Sequence, residues 1–248
     1  MPRFFLEIKY KGTAYSGFQV QHNAVTVQSV LEDAMSVYFR SKVNLTGSSR
    51  TDAGVHALQN YFHFDLGGEI PEKFLYNINA MLPGDIAVLG IRAMDVDAHC
   101  RFDAKSREYV YYLYHEKDPF KVDRAWFYPF PLDKDLLDLA AGLIMEYEDF
   151  TSFSKRKTQV KTFQCKIELS EWVRGEHGLE YRVRANRFLR GMVKGLVGTM
   201  LQMGRGKIRE EEFRKIIESR DCIYADFTPP SHGLFLCSVH FPDGYFLS

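Results

Sequence analysis

Gly47-Ser48-Ser49-Arg50-Thr51-Asp52-Ala53-Gly54-Val55-His56-Ala57 is a polar run, and after Leu58 it gives way to Gln59-Asn60-Tyr61-Phe62-His63-Phe64-Asp65. The first stretch sets an arginine, a threonine, a carboxylate and a histidine close together, most of it bracketed by glycines. Such a run cannot pack as a core helix or core strand. Glycine lets the backbone turn sharply and lets a ligand approach. The second stretch alternates in the manner of a half-buried strand. Together they read as a short loop feeding a sheet, a place where functional groups sit on a rigid scaffold. Turn chemistry explains part of it, because an Asp before Ala-Gly bonds its own backbone. Arg50 is positioned to pair with Asp52 or to reach a phosphate, whose geometry a guanidinium matches. His56 orders the loop or meets a ligand.

Outward from this point the chain alternates strands and helices. Phe4–Tyr10 reads as a strand. Thr26–Phe39 carries apolar residues at helical spacing, with Thr26 read as its N-cap. Strands are expected near Leu58–Asp65 and Ile86–Val96, with a helix near Glu72–Asn79 between them. Arg107–His115, rich in Tyr and Val, reads as a strand, and Leu136–Met145 as a helix. Lys166–Arg174 and Leu179–Ala185 read as a hairpin. Arg187–Met203 and Glu211–Ser219 read as helices and Phe235–His240 as a closing strand. Polar and apolar residues alternate along these strands, which favours an antiparallel sheet with helices on one face, hence an α+β fold. The two halves resemble each other in element order, and a boundary is expected near Cys100–Lys105. That gives an N-terminal half over residues 1–104 and a C-terminal half over 105–248.

Composition is that of an ordinary globular protein: of 248 residues, 46% are hydrophobic and 26% charged, enough for a sizeable core. No apolar run approaches the roughly 20 residues a membrane span needs. A charge breaks Met1-Pro2-Arg3-Phe4-Phe5-Leu6-Glu7 too early for a secretory signal. Cys100, Cys165, Cys222 and Cys237 are scattered without a Cys-x-x-Cys pair, which argues against zinc and against a disulfide framework. The cytoplasm is the expected compartment. Net charge is zero, but cations collect in the second half. Lys155, Arg156, Lys157 and Lys161 form one cluster. Arg182, Arg184, Arg187, Arg190 and Lys194 follow, then Arg205, Lys207 and Arg209. A basic half can offer a groove to a phosphate backbone; a solvated charged face explains any single one equally well.

Arg50-Thr51-Asp52-Ala53-Gly54-Val55-His56-Ala57 resembles the signature of the tRNA pseudouridine synthase A family. Other blocks agree in order. Tyr10-Lys11-Gly12-Thr13-Ala14-Tyr15-Ser16-Gly17-Phe18-Gln19 is similar to the N-terminal block, with Phe18 where Trp is commoner. Leu82-Pro83-Gly84-Asp85-Ile86 and His99-Cys100-Arg101-Phe102 resemble middle blocks, the second with Cys100 in place of the usual alanine. Asp149-Phe150-Thr151-Ser152-Phe153 and Gly233-Leu234-Phe235-Leu236 resemble later ones.

The resemblance implies two RRM-like or ferredoxin-like halves sharing one large, mostly antiparallel sheet with a central cleft. It implies conversion of uridine to pseudouridine in the anticodon stem-loop, about positions 38 to 40, on a base taken out of its stack. The chemistry consumes no energy source and changes no oxidation state, so neither cofactor nor metal is expected. A tRNA is the implied partner, and a homodimer the implied assembly. Asp52 matches the family's essential aspartate; attack at C1′, attack at the base and help in removing a ribose proton all stay open for it. Tyr109, ten residues after His99, matches the tyrosine that stacks on the base. A carboxylate in a buried site needs a cation to stay ionised, and the usual arginine position falls on Lys194. Arg190, one turn earlier on the same helical face, is the alternative. Arg50 is implied at the RNA, Thr51 and His56 in the binding loop, and Leu234 beneath the base or ribose.

Two other classes were open from sequence. RRM-like sheets also serve proteins that bind RNA without catalysis, but Asp52 with Tyr109 argues against that. A hydrolase releasing free uracil usually carries two carboxylates, and the loop offers only Asp52.

Overall fold

The computed structural model describes residues 1–156, 160–175 and 178–246. The chain forms two compact units, Met1–Lys105 with Leu236–Ser248 and Ser106–Phe235. In the first unit β1 (Arg3–Tyr10) is followed by α1 (Val27–Phe39), β2 (Thr46–Gly47), β3 (His56–Asp65), α2 (Phe74–Met81) and β4 (Ile86–Met94). The second holds β5 (Ser106–Tyr114), β6 (Trp126–Phe127), α3 (Lys134–Ile144), β7 (Ile167–Gly175), β8 (Gly178–Ala185), α4 (Met192–Gly204) and α5 (Glu210–Glu218). The last strand, β9 (Leu234–His240), enters the first unit at Leu236. The fold is α+β, as its patterning predicts.

In the first unit β1 is central, antiparallel to both β3 and β4. Leu6 lies opposite Phe62, and Phe4 opposite Phe64. Phe4, Leu6 and Ile8 therefore share a face, buried with Leu31 and Met35 of α1 and Phe74 and Ile78 of α2. Phe5 points to the other face, yet it is buried too. The reason is the tail. Rings of Phe241, Tyr245 and Phe246 lie 6.0, 6.1 and 6.3 Å from the Phe5 ring. Both faces at Phe5 are thus dry, which is why the strand does not alternate strictly there.

Helix starts follow their caps. Thr26 accepts the Ser29 amide at 3.1 Å while the Ser29 hydroxyl accepts the Thr26 amide at 3.0 Å, a reciprocal box. Asp133 caps α3 by accepting the Asp135 and Leu136 amides. In the second unit β8 lies between β5 and β7, antiparallel to both, and short β6 runs parallel to β5. Leu179, Tyr181, Val183 and Ala185 are the buried alternate residues of β8. Their neighbours Arg182 and Arg184 face the other way and meet carboxylates. Arg182 lies 2.8 Å from Glu180, and Arg184 lies 3.5 Å from Glu108.

Candidate active site

The loop between β2 and β3 is held at both ends by β3 itself. Thr46 pairs with His63 and Gly47 with Phe62. The Ser48 amide donates to the Tyr61 carbonyl at 2.8 Å. Asn60 then donates its side-chain amide to the Ser49 carbonyl, also at 2.8 Å. The Val55 amide closes a turn on the Asp52 carbonyl at 3.1 Å. Ser48, Ser49, Thr51, Val55 and His56 are buried, Asp52 is half-buried and Arg50 is exposed. The loop is therefore anchored through its backbone and small side chains. Its charged groups are what it leaves accessible.

A second layer comes from the segment after β1. The Phe18 amide donates to the Thr51 carbonyl at 3.1 Å. The Phe18 ring stacks on Phe62, centroids 4.5 Å apart and 9° from parallel. Gly12 sits so close to the loop that a Cβ there would lie 2.0 Å from the Val55 carbonyl oxygen. Its amide donates to His56 Nδ1 at 3.0 Å. Nδ1 must offer a lone pair to accept that bond, so the His56 ring proton sits on Nε2. His56 is thus a buried loop anchor. The Tyr10 hydroxyl lies 2.8 Å from Thr51 Oγ1 and accepts from Asn60 at 3.4 Å. Burial pushes Tyr10 up to about 12, against the pull of those two hydrogen bonds, so it remains a neutral phenol.

The other residues singled out by sequence lie in the second unit. Tyr109 is a buried residue of β5, opposite Val183, with the Phe188 ring edge-on at 4.9 Å. Leu234 opens β9 and is buried. Lys194 occupies the first turn of α4, its Nζ 3.5 Å from Ser231 Oγ. The expected helix from Arg187 is corrected here: α4 begins only at Met192. Gly191 precedes it at φ +77°, a left-handed conformation that stops a helix from running through. Arg190 therefore lies outside α4 and does not share a helical face with Lys194. Within α4, Gly198 permits close approach, since a Cβ there would lie 2.2 Å from the Asp226 carbonyl. Of the basic cluster, Arg156 pairs with Asp221 at 3.3 Å and Lys161 is exposed; Lys157 lies outside the described residues.

Sequence reasoning missed Tyr10 and Asn60 as parts of this site. The signal was an amide inside an otherwise aromatic strand, Asn60 before Tyr61-Phe62, and such a group when buried must find partners. Among the described residues, no cluster of three His, Cys, Asp or Glu side chains could hold a metal ion, and no helix is long and apolar enough to cross a membrane.

Residues 7–103 and 147–242 match the family described as tRNA pseudouridine synthase. Curated relatives named tRNA pseudouridine synthase A match end to end. That of Parabacteroides distasonis is 40% identical over 99% of this chain and 98% of its own. That of Porphyromonas gingivalis is 42% identical over 100% of both. That of Staphylococcus aureus strain MRSA252 is 36% identical over 99% of this chain and 94% of its own.

Proposed function

The chain belongs to the tRNA pseudouridine synthase family, and from that premise we propose that Asp52 isomerises a flipped uridine of the tRNA anticodon stem-loop. The enzyme is an isomerase that makes pseudouridine in tRNA. The target uridines lie at about positions 38 to 40, in a stacked stem-loop from which the base must be extracted. The observation that supports this reading is the loop itself. Asp52 is left half-exposed while Thr51 before it and Val55 and His56 after the turn are buried, and the Thr51 and Asp52 carbonyls accept backbone amides. A carboxylate so held loses little freedom when it meets a substrate.

The reaction breaks the N1–C1′ bond, turns the base and joins C5 to C1′. The C5 hydrogen leaves as a proton and N1 gains one, so nothing is oxidised or reduced. Asp52 serves as nucleophile or as the charge that stabilises the electron-poor intermediate. Tyr109 offers a flat partner for the unstacked base and stands ready for the C5 proton. Lys194 supplies the cation that the reaction uses. Arg50 contacts phosphate or wedges beside the base, with Arg190 adding positive charge. Thr51 and His56 hold the loop, and Leu234 packs beneath the base. The enzyme works in the cytoplasm as a homodimer that binds tRNA across both copies.

Tritium release from tRNA labelled at uridine C5 tests the assignment. Wild type is expected to release tritium and Asp52→Asn to release none. Binding of tRNA by wild type without release would leave a binding protein, and free uracil would mark a hydrolase.

A further inference from the structure

We infer that Tyr10 is a positioning residue for the reaction, acting through Thr51 on the placement of Asp52. The inference rests on the reading of Asp52 as the catalytic carboxylate.

Three observations meet at this phenol. Its oxygen is 2.8 Å from Thr51 Oγ1, on the residue next to Asp52. It also accepts from Asn60 Nδ2, and the same amide nitrogen donates to the Ser49 carbonyl. Asn60 cannot flip away, because its Oδ1 accepts the Tyr61 amide at 2.9 Å. Tyr10 and Asn60 therefore grip the loop at residues 49 and 51, immediately before Asp52. The strand register places both side chains there. Ile8 faces Asn60, but Tyr10 faces Ala57, so β3 carries one extra residue between these pairs. This bulge sets Tyr10 opposite Ala57, at the end of the loop, and bulges often lie beside functional residues. Tyr10, Asn60 and Thr51 are all buried, 4%, 0% and 7% exposed. Water cannot replace a lost hydroxyl there without a rearrangement of the loop.

The hydroxyl is not needed to fill the core. The Tyr10 ring packs on Phe18 at 5.9 Å, and a phenylalanine would keep that contact. Removing the oxygen alone frees Thr51 Oγ1 and leaves Asn60 with one partner fewer. The consequence falls on the direction of Asp52, not on tRNA docking.

Tyr10→Phe is expected to lower kcat about tenfold or more, since small displacements of a reacting group are costly, while KM for tRNA stays within about twofold. Tyr181→Phe is the control for a merely structural effect. Tyr181 is a buried phenol of the second unit, bonded to Ser170 Oγ at 2.9 Å. It is expected to lose comparable thermal stability and to keep its kcat. A double-mutant cycle with Thr51→Val checks the route: once Tyr10 is Phe, the second change adds little. Should Tyr10→Phe not fold, Thr51→Val removes the same bond from the other side and carries the same expected loss of kcat. The inference is overturned if kcat of the folded variant stays within about twofold of wild type, or if it falls no more than in Tyr181→Phe. Asp52→Asn in the same assay separates the two claims. An active Asp52→Asn ends the catalytic reading itself, whereas an inactive one with an unaffected Tyr10→Phe ends only the role of Tyr10.

Discussion

In the proposed reaction, position 194 offers a lysine where the family resemblance implies an arginine. Arginine presents two parallel N–H donors to a carboxylate, and lysine presents a compact point charge on a flexible stem. Lys194 has its Nζ 3.5 Å from Ser231 Oγ, a long contact for a hydrogen bond. If charge is what Asp52 requires, Lys194→Arg keeps most of the activity and Lys194→Met loses it by about a hundredfold, the scale of removing one charged hydrogen bond from a water-poor site. Steady-state kinetics on unmodified tRNA decide this, and a fully active Lys194→Met would remove the residue from the reaction. At this scale the sequence was legible in the signature loop, whose family the full-length relatives share. It was silent about Tyr10, whose importance comes from a bond to a residue 41 positions away. No local pattern encodes that.

Elements were legible wherever periodicity and a cap agree. Thr26 announces α1 and the box forms with Ser29. The failure at α4 has a definite cause. Phe188, Leu189, Met192, Val193 and Leu196 keep a nearly helical spacing across Gly191, so the apolar pattern continues while the backbone does not. Gly191 takes φ +77°, and a Cβ there would lie 3.0 Å from the Lys155 side chain. Gly191→Ala therefore forces an alanine into the left-handed region, at about 1–2 kcal/mol, and crowds Lys155 as well. Urea unfolding should show a loss of about that size with an unchanged slope. A gain in stability would mean that the break before α4 is not required. The same substitution would shift the first turn of α4, which carries Lys194, so turnover should fall along with stability. Two-residue strands such as β2 and β6 have no periodicity to detect. They form because β3 and β5 offer them an edge.

At the scale of the whole molecule, the tail of the chain belongs with its beginning. Phe241 and Phe246 pack with Tyr61, Arg92 lies over the Phe246 ring, and Tyr245 bonds Asp103. This return carries no cue in the sequence, because a closing strand looks the same whichever sheet receives it. The first unit also contains a group that sets its acid limit. His63 is buried in β3, and its Nδ1 accepts the Cys100 amide at 3.4 Å with Cys100 Sγ at 3.2 Å. Burial lowers its pKa to about 4, helped by His99 and Arg3 and opposed by Asp65 and Asp103. The native state therefore holds His63 neutral, whereas the unfolded chain takes up a proton near the usual 6.5. Below that value the unfolded state binds more protons, so stability is full above about pH 6.5 and falls as the pH drops toward 4. Between pH 7 and pH 5 the loss should be about 2 kcal/mol, read by urea unfolding at each pH. Asp65, held low by its bond to Arg3, adds its own loss only under more acid conditions, below the usual carboxylate range. His63→Asn leaves a neutral oxygen in reach of the Cys100 amide and cannot titrate. In that variant the decline between pH 7 and pH 5 should flatten. A decline equal to wild type would place the acid limit elsewhere, with His99, which burial also lowers, next to be replaced.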